Sequence, residues 1–522
     1  YGPMLAANQA SPAFPVWGGT GLVNKEPAAY TYRDANADTT RLLDSWLGMS
    51  RASNLEEFKD VFRNCGSTLW VNSTYADDQG NAFYIDSSSA PNLSEAAIAV
   101  LTLKRTDPDF NQLYNSGITL LDGSKSRDDW IKGECNNGLV PFDQKPMLAR
   151  TDWVQNSNSS YWATNPNAFL TGFSPMFGDE NAEINTRTRI GIKMLENPTD
   201  PGLDANAKPP AGQDGKFSAR DLIDTIWNNR AWYAEEFLPE LRDRCSAIGS
   251  TAVNVPQSLL PASPMVASPG TQSLTQACDV LANWNGTYDL TSSGASLFRT
   301  FVDIYRHGFP DDLTTAFDPA DPVNTPAGPS TANAGTADDP MLQSLAAAVV
   351  LLDDAGIDLD SQLGDVQYYQ ASGGVVAGGN PANATTLSAR IPWHGGDGSV
   401  DGAFNAIGVV NSAYAEDSRF PRVTTPVYTW AGGGRVAAGL SPNEGEGWLI
   451  ARGTSWHFGL EFTDQGPEAY GLLSYSQSTD SESDFFTDQS QRYSAKDARK
   501  LLFTEAEIEQ NLLTDGEITI RN

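Results

Sequence analysis

A short polar segment flanked by aromatic residues is the part of the sequence best suited to chemistry. Residues 150–166 are RTDWVQNSNSSYWATNP, with Asn and Ser side chains between Trp153 and the pair Tyr161 and Trp162. Asn and Ser dominate turns because their side chains bond their own backbone, which favours a surface loop. The other interpretation is a catalytic site, because a side-chain amide can donate to a developing negative charge beside an apolar pocket.

Other candidates for catalysis or metal binding are few. The three histidines, His307, His394 and His457, are far apart and match no metal-binding spacing. His394 lies in IPWHGGDGSVDGAFNAI, where a structural turn and the lining of a site both stay open. GxSxG, SxxK, HExxH, P-loop and GxGxxG motifs are absent from the sequence. A glycosidase pair of carboxylates stays open, since no pair stands out among 65 acidic residues.

Charge and hydropathy exclude two kinds of partner. The formal net charge is −31, so no nucleic-acid partner is expected, because such binding rests on clustered Lys and Arg. The longest apolar run, LAAAVVLL at 345–352, is far shorter than the ~20 residues of a membrane helix, and no membrane span is expected. The chain opens on Tyr1 without a signal-peptide pattern, which predicts a processed or trimmed product.

The polar segment must be positioned by a mixture of helices and strands. A hairpin is predicted around the turn at 77–80, and residues 22–34 are strand-like. Short strands separated by Gly-rich turns follow from about residue 365, which together with the helices predicts an α+β fold. The first predicted helix, at 38–50, has Leu42, Leu43, Trp46 and Leu47 on one face and Asp38 or Thr39 as its cap. Further helices are predicted at 54–62, 182–197 and 218–232, in YAEEFLPELRDRC, LTQACDVLANW and SLFRTFVDIYRH, and from Thr504.

Four cysteines occur, Cys65, Cys135, Cys245 and Cys278, and none forms a CxxC pair. Two disulfides in an oxidising compartment and four buried free thiols are both open. Cys245 ends one predicted helix and Cys278 lies in the next, so this pair is the expected bridge.

Several stretches, in this order, carry a resemblance that covers nearly the whole chain. They are AAYTYRDANADTTRLLDSWLGMSRASNLEEF, LWVNSTYADDQGNAFYIDSS, TDWVQNSNSSYWATNPNAFLTGFSPMFGDE, INTRTRIG, GGDG with FNAI, and GLLSYSQSTDSES with FTDQSQRYS. With these stretches the chain resembles the penicillin-acylase family of N-terminal-nucleophile hydrolases, and most of all its acyl-homoserine-lactone and aculeacin-type acylases. The family often has Asp where Ser159 stands, a neighbour not expected to take part in the chemistry.

The resemblance implies a fold and a division of the chain. The expected fold is the αββα sandwich of these hydrolases with a mostly helical insertion. Residues 1–215 would form the first part of the core with the oxyanion segment. Residues 216–364 would form the insertion, and residues 365–522 the last core strands and the final helix.

The resemblance also assigns roles to individual residues. Asn158 matches the Asn whose side-chain amide stabilises the oxyanion of the tetrahedral intermediate, and Arg187 matches the Arg that supports this site. Trp46, Trp70 and Val71 match positions that line the acyl-chain pocket of the lactone acylases. Because Trp46 lies on the apolar face of its helix, plain core packing is the alternative for it.

The family nucleophile is a Ser at the first position of the β-subunit, whose own α-amine acts as the base. In this match it would precede Tyr1, whose phenol is not the hydroxyl or thiol that this chemistry requires. The expected partners are therefore an α-subunit, an N-terminal β segment carrying the Ser, and a small acyl-amide substrate.

Other expectations concern cofactors, location and rival functions. No cofactor is expected. Some family members hold a structural Ca²⁺, whose ligands the sequence does not place. The location would be periplasmic or secreted. A non-catalytic extracellular binding or surface protein and a carboxylate-based glycosidase are the rival interpretations.

Overall fold

The structure is a computed structural model that describes residues 4–5, 19–20, 27–37, 41–133, 138–260, 266–373, 386–409, 428–429, 435–436 and 447–512. The chain forms two compact units, Tyr1–Ala182 and Glu183–Asn522. Neither of the expected boundaries, after 215 and after 364, coincides with this division. The helices expected as an insertion belong to the same compact unit as the C-terminal strands, and buried ion pairs such as Arg299–Asp401 join the two.

The first unit combines short helices with small antiparallel sheets. Strands β5, β6 and β7 form a three-stranded sheet in that order, and β1 pairs with β4 and β2 with β3. Its helices are α1 (Leu42–Arg51), α2 (Leu55–Arg63), α3 (Glu95–Lys104) and α4 (Pro108–Asn115), and its strands are β1 (Met4–Leu5), β2 (Gly19–Thr20), β3 (Pro27–Ala28), β4 (Tyr30–Thr31), β5 (Ser73–Ala76), β6 (Ala82–Ile85) and β7 (Met147–Arg150).

Helix α2 and the hairpin β5–β6 form the small core of this unit, as the sequence predicts. The Asn54 side chain caps α2 by accepting the Glu57 N–H at 3.0 Å. Phe58 and Phe62 point inward and pack on Phe83 with Ile85 in one apolar cluster. Each fully buried aromatic of this kind stabilises by about 1.5–3 kcal/mol.

Helix α1 differs from the expected amphipathic helix. It forms at the predicted place, and the expected caps Asp38 and Thr39 lie outside the described residues. Its buried residue is Ser45, whose Oγ accepts the Ser67 N–H at 3.0 Å. Trp46 is 53% exposed, so in the described chain it does not have the core-packing role that was its alternative.

The second unit has a helical half and a strand half. Its helices are α5 (Thr186–Glu196), α6 (Ala219–Trp227), α7 (Trp232–Ile248), α8 (Thr275–Asn283), α9 (Ala295–Gly308), α10 (Pro340–Asp354), α11 (Leu363–Val366), α12 (Asp488–Ser494) and α13 (Glu505–Gln510). Its strands are β8 (Val253–Asn254), β9 (Thr271–Gln272), β10 (Gln367–Tyr369), β11 (Ser372–Gly373), β12 (Thr386–Leu387), β13 (Ile391–Pro392), β14 (Gly396–Asp397), β15 (Ala406–Val409), β16 (Tyr428–Thr429), β17 (Arg435–Val436), β18 (Trp448–Gly453), β19 (Trp456–Thr463), β20 (Gly466–Leu473) and β21 (Arg499–Leu501).

Two sheets dominate the strand half. One is five-stranded and mixed, in the order β13-β10-β18-β15-β14, and the other is three-stranded and antiparallel, in the order β19-β20-β21. Strands β10 and β18 run parallel, as do β14 and β15. Helix α6 packs on the second sheet so closely that a Cβ at Gly459 would lie 2.3 Å from the Ala219 carbonyl oxygen. Helices and strands thus occur together, as an α+β fold requires.

Helices α7 to α10 enclose the largest apolar core. The predicted Cys245–Cys278 disulfide is present and joins α7 to α8. Cys65 is also disulfide-bonded, and Cys135 lies outside the described residues. The apolar run 345–352 is part of α10, which is buried in this core on nearly every side. None of the described helices combines the length and apolar character needed to cross a bilayer.

Candidate active site

The polar segment follows β7, and its aromatic residues hold it in the first unit. Trp162 is buried and stacks on Phe169 with ring centroids 4.9 Å apart. Tyr161 is also buried, and its hydroxyl donates to Glu180 Oε1 at 2.6 Å. The aromatic residues therefore anchor the segment and do not form an open apolar wall.

Three amide side chains of this segment bond its own backbone. Gln155 Nε2 donates to the Ala163 carbonyl at 2.8 Å. Asn156 Nδ2 donates to the Ser159 carbonyl at 3.1 Å, and Asn165 Nδ2 donates to the Trp153 carbonyl at 3.0 Å. These three amides bond the backbone of their own segment, as turn residues do, although Asn165 is fully buried and does not lie at the surface.

Asn158 differs from these three because it lies at the exposed apex of the turn. Its backbone is left-handed, with φ of 67°, a conformation that Asn tolerates better than most residues. Its N–H donates to Asn156 Oδ1 at 2.9 Å, so the backbone beneath the side chain is fixed by a hydrogen bond. An exposed amide on a fixed turn has the chemistry needed to donate to an oxyanion.

Arg187 belongs to the second unit, at the start of α5. The Asn185 side chain caps this helix and accepts the Thr188 N–H at 2.8 Å. Arg187 is half-buried, and burial lowers the pKa of its guanidinium, which remains a cation because arginine does not deprotonate in proteins. A Cβ added at Gly398 would lie 3.7 Å from its Cδ, so the Arg187 stem runs along that glycine.

Trp70 and Val71 are held at the surface of the first unit by hydroxyl groups. Thr68 Oγ1 and Ser87 Oγ both donate to the Val71 carbonyl, at 2.9 and 3.1 Å. Trp70 is 75% exposed, and Val71 and Trp46 are exposed as well. Large apolar side chains are available here for contact with another group.

The structure brings Asn158, Trp46, Trp70 and Val71 into one compact unit and places Arg187 in the other. Their roles in binding and catalysis stay predictions. Asp401, a buried carboxylate in the GGDG region, was not singled out by sequence analysis. The available signal was the spacing of glycines around it, which indicates close packing of backbone.

Each of the three histidines contacts polar groups of the fold. His394 Nε2 donates to the Ser494 carbonyl at 2.8 Å, and its Nδ1 lies 3.3 Å from Asp289 Oδ1. His307 pairs with Asp303 on α9, and His457 is buried beside Ser474. The described residues contain no group of three or more His, Cys, Asp or Glu side chains that could hold a metal ion.

Comparison with known proteins adds three findings. The penicillin amidase family model matches residues 1–510. The acyl-homoserine lactone acylase PvdQ of Pseudomonas syringae pv. syringae is 29% identical over 483 residues, which are 92% of this chain and 51% of that protein. The aculeacin-A acylase of Actinoplanes utahensis is 29% identical over 504 residues, with the same coverage of both chains.

A thermostable penicillin G acylase from Alcaligenes faecalis matches in structure with a TM-score of 0.45 and 15% identity. The match covers 95% of this chain and 76% of that one. The chain spans about half the length of the curated relatives it matches. From the match over residues 1–510, the chain belongs to the penicillin amidase family.

Proposed function

We propose that this chain is part of an acylase that hydrolyses an amide between a fatty or aromatic acyl group and a polar head. The observation that carries the proposal is the family match over nearly the whole chain. Two relatives are named for acylase activity, one on acyl-homoserine lactones and one on aculeacin A. An acyl-homoserine lactone, a lipopeptide or a penicillin would each present the required amide.

In the proposed reaction an N-terminal Ser hydroxyl attacks the amide carbonyl, and its own α-amine accepts the proton. The tetrahedral intermediate collapses, the C–N bond breaks, and the protonated amine leaves. Water then hydrolyses the acyl ester and releases the acid. The reaction needs no cofactor. This chain covers about half of the length of its relatives, and we place the nucleophile in the half that it does not cover.

Asn158 is the proposed oxyanion donor in this chain. Its exposure and the hydrogen bond that fixes its left-handed backbone support the assignment, because an exposed amide on a fixed turn can donate to a substrate oxyanion. We assign Arg187 to the same reaction by its motif, and its retained positive charge is compatible with stabilising a developing anion.

Trp46, Trp70 and Val71 are the proposed acyl-chain contacts. Their exposure supports this role, since an aliphatic chain is best received by aromatic and aliphatic walls. The full αββα sandwich would require strands from an α-subunit and from the N-terminal β segment. We place the protein in the periplasm or outside the cell, which the Cys245–Cys278 disulfide supports.

The test uses the complete enzyme and a substrate panel of N-acyl-homoserine lactones, an aculeacin-type lipopeptide and penicillin G. Asn158→Ala should lower kcat roughly 10²- to 10³-fold, the usual effect of removing one oxyanion donor. Asn158→Gly should lose as much, because it keeps the left-handed backbone and removes the amide.

Asn181→Ala is the matched control, since Asn181 is also exposed with a positive φ of 53° in the same unit. It should leave kcat unchanged. Retention of more than about half of the activity in Asn158→Ala would exclude the oxyanion role. If the complete enzyme cleaves no amide of the panel, the proposed function is wrong.

A further inference from the structure

The glycine segment, residues 395–402 with the sequence GGDGSVDG, contains β14 and leads toward β15. Its glycines are packed too closely for a side chain. A Cβ at Gly395 would lie 2.5 Å from the Asn405 carbonyl oxygen, and one at Gly396 would lie 2.8 Å from Asp401 Oδ2. Glycine is therefore required at these positions because the backbone of the segment packs closely against its neighbours. The residues that contact the segment indicate what this packing is for.

The first turn of α5 rests on this segment. Gly402 has φ of +69°, and a Cβ there would lie 2.8 Å from the Thr186 Cβ. At Gly398 an added Cβ would lie 3.7 Å from Arg187 Cδ, which is an ordinary contact distance. Gly398 thus lies beside the Arg187 stem without a side chain of its own, and even a Cβ added there would lie 2.9 Å from the Ala406 Cβ.

A buried ion pair fixes the glycine segment. Arg299 Nε donates to Asp401 Oδ2 at 2.9 Å, and both side chains are almost fully buried. The same Asp401 oxygen accepts the Asp397 N–H at 2.6 Å, which closes the turn. Burial raises the pKa of Asp401 to about 6, although Arg299 acts in the opposite direction. Removing one partner of such a pair is strongly destabilising, because the other charge stays buried and unpaired.

Two further contacts attach the segment to helices. Arg306 on α9 donates to the Ser399 and Val400 carbonyls at 2.8 and 3.1 Å. The Trp232 N–H, at the start of α7, donates to the Gly402 carbonyl at 3.1 Å. The wall beneath Arg187 is therefore connected to the helical core and is not a free loop.

We propose that the glycine segment positions Arg187 for the reaction, with Gly398 as the contact and the Arg299–Asp401 pair as its anchor. The inference rests on the proposed function, in which Arg187 takes part. A long arginine side chain has many rotamers, and a wall along its stem removes those that would point the guanidinium elsewhere. Displacement by about 1 Å in an active site can lower the rate on the order of 100-fold.

The test is a double-mutant cycle in the complete enzyme, with N-acyl-homoserine lactone as substrate. Gly398→Leu should lower kcat roughly 10- to 100-fold while KM changes little, because the guanidinium is displaced and the acyl pocket is not. In an Arg187→Ala background the same change should alter kcat less than about 2-fold, since the group it displaces is gone. Ser246→Leu is the control, at an exposed position on α7 of the same unit and outside the glycine segment, and should leave kcat as in the wild type.

A side chain at 398 also meets Ala406, whose Cβ would lie 2.9 Å from the added atom, so folding of Gly398→Leu must be checked by its thermal midpoint. Asp401→Asn is the second variant: it keeps the shape of the anchor, removes its charge and leaves Arg299 without its ion-pair partner, so its thermal midpoint must be checked as well. It should show the same loss of kcat, again absent in the Arg187→Ala background. Equal losses with and without Arg187 would mean a purely structural role and overturn the inference.

Failure of the inference and failure of the proposed function are distinguishable. If Arg187→Ala keeps wild-type kcat while Asn158→Ala is inactive, amide hydrolysis stands and the positioning role is overturned. If the complete wild-type enzyme cleaves no amide, the proposed function fails, and the positioning role fails with it.

Discussion

At the scale of single residues, His457 should set part of the acid stability. It is fully buried, and burial lowers its pKa from 6.5 to about 4. Between these pH values the unfolded chain binds more protons than the folded one, so the free energy of unfolding falls as the pH falls. The loss should approach about 3 kcal/mol below pH ~4. Urea unfolding midpoints between pH ~4 and ~7 should show this slope in the wild type and a flatter one in His457→Gln.

His307→Gln is the control of opposite sign. The neighbouring Asp303 raises the pKa of His307, so its contribution to stability is present at low pH and is lost as the pH rises. Its replacement should therefore lower the midpoint mainly on the acid side. An unchanged slope in His457→Gln would mean that the imidazole becomes protonated without unfolding the core.

Trp70 should control which acyl chains are accepted. Trp70→Ala opens volume in an exposed apolar wall, and kcat/KM should shift toward longer or bulkier acyl groups. A series of N-acyl-homoserine lactones of increasing chain length would measure the shift. Phe485→Ala, at an exposed aromatic residue of the other unit and outside the β19 face, is the control. The same profile in both variants would end the pocket assignment of Trp70.

The polar segment alone could not decide between a loop and a site, because Asn is preferred in both. The structure shows why both interpretations have support: Asn156 and Asn165 bond the backbone, and Asn158 is exposed at the apex. Only the long family resemblance singled out Asn158. The buried Asp401 had no local signal except the glycines around it, because its partner Arg299 is distant in sequence.

At the scale of elements, helices with one apolar face and a cap were predictable. The Ser218–Asp221 and Thr504–Glu507 capping boxes are both present, and the helix predicted at 54–62 is confirmed as α2, which buries Phe58 and Phe62. Helices α3, α4, α10, α11 and α12 were missed. Residues of α10 are apolar on nearly every side, so the periodicity that identifies a surface helix is absent.

The Cys245–Cys278 disulfide should stabilise the helical half by a few kcal/mol. It closes a loop between residues 33 positions apart, and the cross-link restricts the unfolded chain. Replacing both cysteines with Ser should lower the unfolding midpoint, and reductant should lower the wild-type midpoint by a similar amount. The double variant gives the control, because reductant should shift its midpoint only through Cys65, which is still disulfide-bonded. Equal midpoints for wild type and variant without reductant would contradict this.

At the scale of the whole molecule, both units expose large apolar side chains. Leu43, Trp46 and Leu47 are each more than half exposed on α1. On β19, which is an edge strand of the described sheet, Trp456, Phe458 and Phe462 alternate along the exposed face. Such surfaces are rare on isolated proteins, and under the proposed function we expect them to contact another chain or a ligand.

These faces compete with charge in deciding whether the chain associates. A net charge of −31 opposes association at low salt, but at physiological salt repulsion is screened beyond about 8 Å. Under these conditions we expect attraction between the exposed apolar faces to outweigh the screened charge repulsion. The 522-residue chain expressed alone should self-associate at moderate salt and show no amidase activity.

Under the proposed function, co-expression with the upstream region of the same protein should give a dispersed, active complex with an interface above roughly 2,000 Å². Light scattering after size-exclusion chromatography at two salt concentrations would measure both states. Phe458→Lys with Phe462→Lys should reduce self-association of the lone chain and weaken the complex, because we expect both to use this exposed apolar face. Leu103→Lys, at an exposed position on α3, should do neither. A lone chain that is monomeric and unfolds cooperatively at moderate salt would refute the split assembly and favour a self-sufficient binding protein.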